Sequence, residues 1–149
     1  MMKSKRFEPS QEIAATSAKD LSRAMSEAAR KVADLERKLQ QLQDYRNEYT
    51  RNSSQPDAAM DAVKLQNYRS FLDRLGEALR QSGKSLEHAR ADYEKKRALW
   101  SEKRVEAESL GRVVERFRKE ERHALDKREQ HEGDDAAMRV MLAAGSLLK

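Results

Sequence analysis

From Ala14 onward the apolar residues of this chain return in alternating steps of four and three: Ala14, Ala18, Leu21, Met25, Ala28, Val32, Leu35, Leu39, Leu42, then Arg46 as a lapse, then Tyr49. Such steps keep one stripe of an α-helix turned toward one partner, the a/d rhythm of a coiled-coil seam. A second run keeps the same rhythm through Leu65, Tyr68, Leu72, Leu75, Leu79, Ser82, Leu86, Ala89, Tyr93, Lys96, Trp100, Lys103, Ala107, Leu110, Val114 and Phe117. Between the runs stands one polar break, Asn52-Ser53-Ser54-Gln55-Pro56-Asp57. Pro56 has no amide hydrogen and biases Gln55 away from the α region, so one helix does not run through it. A break this short turns the second helix back along the first. The expected fold is all-α: a two-helix antiparallel coiled-coil hairpin.

The local signals give one domain over residues 1–149, with an arm at 1–9, helix 1 at 10–51, a turn at 52–57, helix 2 at 58–131 and a tail at 132–149. Ser10 after Pro9 reads as the N-cap of the first helix, with Glu12 placed for its dipole, and Asp57 as the cap of the second. Gly133 reads as a stop. At 1.5 Å per residue the second helix would span about 110 Å and the first only about 63 Å. The longer second helix then overhangs the first from about Ser101, leaving Ala107, Leu110, Val114 and Phe117 without a partner. An exposed apolar stripe on a charged helix marks a contact surface. Three fates are open to it: a partner protein, cover by a second copy or by the tail (Met138, Met141, Leu142, Leu148), or fraying.

Near the break, Leu42, Tyr45 and Tyr49 lie on one stripe of the first helix and Phe71, Leu75, Ala78 and Ser82 on one stripe of the second; Leu75 and Ser82 belong to the seam, whereas Phe71 and Ala78 sit beside it. A two-helix contact cannot bury all of them, so they face water or a partner. Gly76 and Gly83 flank the same region and permit close helix approach, local bending or a hinge.

Charged residues make up 38% of the chain and aromatics 5%, too polar a mixture for a compact core. Without cysteine there is no disulfide and no thiolate metal site. No apolar run reaches the roughly 20 residues of a membrane span, and the basic start lacks the apolar stretch of a signal peptide, so a cytoplasmic protein is expected. The net charge of +5 raises nucleic acid as a partner. Runs such as Glu94-Lys95-Lys96-Arg97 and Glu115 to Glu120 interleave both signs, as a solvated coiled-coil face does, whereas a phosphate-tracking groove gathers one sign.

Catalytic constellations are missing. His88, His123 and His131 are scattered, and a single Glu120-x-x-His123 step lacks the second copy and extra carboxylates of a di-metal bundle. Five unclustered glycines make no phosphate loop. The expectation is a non-enzymatic protein without cofactor, metal, nucleic acid or small-molecule substrate.

The stretch Leu42-Gln43-Asp44-Tyr45-Arg46-Asn47-Glu48-Tyr49, followed by Asn67-Tyr68-Arg69-Ser70-Phe71-Leu72 and Leu75, resembles the flagellar export protein FliJ family. The resemblance is specific from about Leu35 to Leu86 and continues as a pattern over most of the chain. It implies an antiparallel coiled coil shaped like the central stalk of rotary ATPases, working in flagellar type III protein export and hence in motility. The implied partners are the hexameric flagellar export ATPase (FliI type) and its regulator (FliH type), the export-gate membrane protein (FlhA type) and substrate chaperones. The implied place is the cytoplasm, peripherally at the inner face of the membrane.

Carried onto matching positions, the gate-facing surface is Phe71, Leu75, Ala78 and Ser82 beside Leu42, Tyr45 and Tyr49; Ser82 stands where the pattern has a bulkier polar side chain. The overhang assigns Leu110, Val114 and Phe117, with the N-terminal arm, to the ATPase ring. The alternatives are a coiled-coil scaffold of a related virulence secretion system and a basic nucleic-acid-binding coiled coil.

Overall fold

The computed structural model describes residues 2–53 and 61–147. Two helices account for nearly all of them: α1, Lys3–Ser53, and α2, Ala62–Leu147. They pack antiparallel as a two-helix hairpin, with no strand among the described residues. Contacts divide the chain into two units, one spanning Lys19–Glu102 and a terminal one in which Met1–Ala18 meets Lys103–Lys149.

In the Lys19–Glu102 unit the seam is the one its rhythm specifies. Ala28, Leu75, Leu86 and Ala89 are buried, and Leu21, Met25, Val32, Leu35, Leu39, Leu72 and Leu79 are half-buried. Two helices enclose each seam residue on one side only, so no large side chain among the described residues is fully buried. Charged side chains line the flanks, and Arg90 bridges to Glu36 across the pair at 3.1 Å. Others bridge along one helix, as Lys96 to Asp92 at 2.9 Å. Exposed pairs of this kind add little each, so the apolar seam carries the pairing.

Both helices extend past their expected ends. Residues 3–9, expected as an arm, are the start of α1, and Ser10 lies inside the helix rather than capping it. The first helical bond runs from the Arg6 amide to the Met2 carbonyl at 3.3 Å. Pro9 is thus a helix-interior proline. Such a residue costs about 3 kcal/mol, and packing of the same turns against α2 offsets it. The rhythm itself extends this far, because steps of three and four back from Ala14 reach Gln11, Phe7 and Ser4.

At the other end α2 passes through Gly133 to Leu147. A glycine inside a helix costs only about 1 kcal/mol, and Ala136, Ala137, Met138 and Leu142 beyond it are good helix formers. Gly133 is no stop.

The fold-back also moves. Asn52 and Ser53 still belong to α1, and α2 begins at Ala62 rather than residue 58. Its cap is Asp61, whose Oδ1 accepts the Lys64 amide at 2.8 Å while its carbonyl accepts that of Leu65 at 3.1 Å. This is the ordinary N-cap geometry for an aspartate. The expected cap Asp57 lies outside the described residues, as do Pro56 and Leu148. Each residue by which the fold-back shifts toward the C-terminus moves the pairing by two. Together with the earlier start of α1, this carries the pairing well past Trp100.

Gly76 and Gly83 need a different account from close helix approach. A Cβ built on either would meet no atom within 4 Å.

Candidate interaction surfaces

Near the fold-back, in the Lys19–Glu102 unit, four aromatic rings from the two helices form one cluster. Tyr49 stacks on Tyr68 with centroids 5.1 Å apart and meets Phe71 at 4.5 Å. Tyr45 meets the same phenylalanine edge-on at 5.9 Å. Tyr49 and Tyr68 meet from seam positions, and Tyr45 and Phe71 join them from beside the seam. Phe71 and Tyr49 are half-buried, whereas Tyr45 is 51% exposed.

Of the other residues assigned to the gate-facing surface, Leu42 and Ser82 are half-buried, Ala78 is exposed and Leu75 is buried in the helix pair. The structure therefore joins Tyr45, Tyr49 and Phe71, whereas Leu75, one turn further along α2, is buried in the helix pair. Tyr68, read as a seam residue and as part of the Asn67–Leu72 motif but not assigned to this surface, belongs to the cluster; its position one turn before Phe71 and Leu72 is the signal for it. Close by, Arg80 makes two short bonds to Glu77, at 2.6 and 2.8 Å. Those bonds and one from Gln81 hold the Glu77 carboxyl below the ordinary glutamate range.

In the terminal unit the stripe expected to be unpaired is covered by α1. Phe7 stacks on Phe117 at 5.5 Å, and the Glu8 carboxylate accepts from Arg118 at 2.7 Å. Glu121 accepts the Ser4 amide at 3.0 Å and its hydroxyl at 2.6 Å. Ser4 is buried, and its amide is one of the first-turn donors with no intrahelical acceptor, so a side chain of α2 completes the start of α1. These hydrogen bonds hold the Glu121 carboxyl below its ordinary range, and Glu8 raises Arg118.

Val114 is 4% exposed, and Leu110 and Phe117 are half-buried. The premise of an overhang over Leu110, Val114 and Phe117 is corrected: the turns expected as an arm cover them. The tail does not, since Met138, Met141 and Leu142 are themselves exposed.

The exposed apolar surface of this unit lies further along α2. Glu121 is the last residue there with any substantial cover, and every described residue from Arg122 to Ser146 is exposed. Met138, Val140, Met141 and Leu142 are 64–75% exposed. At 100° per residue Met138, Met141 and Leu142 share one face, while Val140 and Ala144 take the other side with Ala136 and Ala143. Arg139 and Ser146 are the only polar side chains between Ala136 and Leu147. The end of α2 is apolar on nearly every side.

A shallow groove of about 450 Å³ beside the start of α1 is lined by Met2, Glu115, Arg118, Glu121, Arg122 and Leu125, a salt-bridged surface without a nucleophile and base in contact. Among the described residues no group of three His, Asp or Glu side chains gathers to hold a metal. No helix among them is long and apolar enough to cross a membrane.

A family model described as flagellar FliJ protein matches residues 2–146. No curated protein and no solved structure matches the chain.

Proposed function

Because this chain belongs to the flagellar FliJ family, and so is a component of the flagellar export apparatus, we propose that it joins the export ATPase to the export gate as a non-enzymatic coiled-coil adaptor. The observation that carries this reading is the end of α2. A helix apolar all round is ordinarily a buried one, and Met138, Val140, Met141 and Leu142 leave it exposed on opposite sides in the free chain. A groove covers one face of a helix; a ring closes around all of them. The hexameric ATPase, whose subunits encircle an axis, is the partner whose shape suits it. The neighbouring Leu110, Val114 and Phe117 then extend the ring contact along α2.

The fold-back region supplies the second contact. Tyr45, Ala78 and the accessible edge of Phe71 present an aromatic and apolar surface to the export-gate protein, with Leu42, Tyr49, Leu75 and Ser82 holding it. Substrate chaperones and the ATPase regulator meet the same adaptor, which sits peripherally at the inner face of the membrane. No reaction is required of the chain itself. It binds one conformation of its partners more tightly than another and shifts their populations.

A photo-crosslinking residue at Met141 tests the ring contact. Crosslinks to the export ATPase in the presence of nucleotide, absent when the same residue replaces Glu94, are the expected result. Equal crosslinking from both positions contradicts it.

A further inference from the structure

We propose that the start of α1 is a releasable cover over the Val114–Phe117 stretch of α2, hinged at Pro9. Val114 lies between Gly111, whose built Cβ comes within 3.9 Å of Gln11, and Phe117, which stacks on Phe7. Its cover therefore spans residues 7–11, with Pro9 in the middle.

Pro9 has no amide hydrogen, so the Lys5 carbonyl lacks its i+4 donor and the helix is weakened at that turn. The seam residues on the cover side, Ser4 and Gln11, are polar, in contrast to the leucines of α1 further on. Among the described residues, residues 3–8 are held down by the Phe7–Phe117 ring pair, the Lys3 ammonium 5.6 Å from the same Phe117 ring, the exposed Glu8–Arg118 ion pair and the Ser4–Glu121 bonds. Beneath lies a stripe that keeps the seam rhythm through Leu110, Val114 and Phe117 and is suited to another apolar helix or wall. Elements that open locally are those with few apolar contacts and a weak backbone ladder.

The use of this opening rests on the ATPase-contact reading above: a partner that takes the stripe must displace the cover, so cover and partner compete. The opening itself is tested without any partner. The chain has no cysteine among its residues, so single cysteines report cleanly. Val114→Cys is expected to react with a thiol reagent at least tenfold faster than Ala89→Cys, which is equally buried in the other unit. Adding Pro9→Ala, which restores the missing hydrogen bond, is expected to slow Val114→Cys several-fold and leave Ala89→Cys unchanged. Equal rates for the two cysteines, or no response to Pro9→Ala, overturn the cover.

For its use, Ser4→Cys/Glu121→Cys joined by a short bismaleimide is compared with the same variant unjoined. ATPase binding weakened only on joining supports competition, and equal binding overturns it. Absence of binding by the unjoined and wild-type chains alike refutes the ATPase reading and with it the competition, while the thiol rates still decide the opening.

Discussion

The carboxylate of Glu121 takes both the amide and the hydroxyl of Ser4, at 3.0 and 2.6 Å, across 117 positions of sequence. A side chain of α2 thereby does for the start of α1 what a local N-cap does elsewhere, with a negative charge at the positive end of the helix dipole.

These bonds hold the Glu121 carboxyl below its ordinary range. A group whose folded pKa is depressed contributes stability above its unfolded value, about 4.3 for a glutamate. That contribution is lost as pH falls through the lower folded value. Wild type is therefore expected to exceed Glu121→Gln in protection of the first turns of α1 at pH 6 to 7, with the gap closing as pH drops below about 4. Amide exchange of residues 5–12 against pH reads this. A gap independent of pH would mean that shape, not charge, makes the contact.

Gly76→Ala and Gly83→Ala are expected to stabilise the chain, each by up to about 1 kcal/mol, because alanine is the better helix former and neither Cβ meets a neighbour. Urea unfolding followed by circular dichroism measures it. A loss of stability would show that the backbone at these positions departs from an ordinary helix.

Leu75 and Ala78 share a stripe but not a role. Leu75 is buried to 7% exposure, so Leu75→Ala is expected to cost about 2–3 kcal/mol as a core truncation. Ala78 is exposed, and Ala78→Glu is expected to change stability by less than about 0.5 kcal/mol. Any effect of Ala78→Glu on gate binding, measured by pull-down of the gate's cytoplasmic part, thus reports contact directly. Unchanged gate binding by both Ala78→Glu and Tyr45→Ala would remove this surface from the proposal.

The seam was legible from Ala14 to Phe117 because a period of three and four needs only the identities of the residues. The hairpin followed from two such runs around Pro56. The ends were less legible for a physical reason. Ser10 after Pro9 reads locally as a helix start and Gly133 as a stop, each signal worth at most a few kcal/mol, and the contacts of the first turns of α1 with α2 offset the first. Moving the start of α2 from residue 58 to Ala62 then displaced the pairing, which turned an apparently bare stripe at Val114 into a covered one. The aromatic cluster was half legible: Tyr45, Tyr49 and Phe71 stood out beside the seam, whereas Tyr68 lay hidden within it.

The central claim is tested most directly by ATP hydrolysis of the purified flagellar export ATPase with the full chain and with a chain ending at Gln130. Both are expected to be helical, since the paired stretch of α2 ends near Glu121. The full chain should stimulate hydrolysis, and the shortened chain, shown by circular dichroism to be folded, should lose at least nine-tenths of that effect. Equal stimulation by the two chains would contradict the end of α2 as the ring contact, and no stimulation by the full chain would contradict the ATPase as its partner.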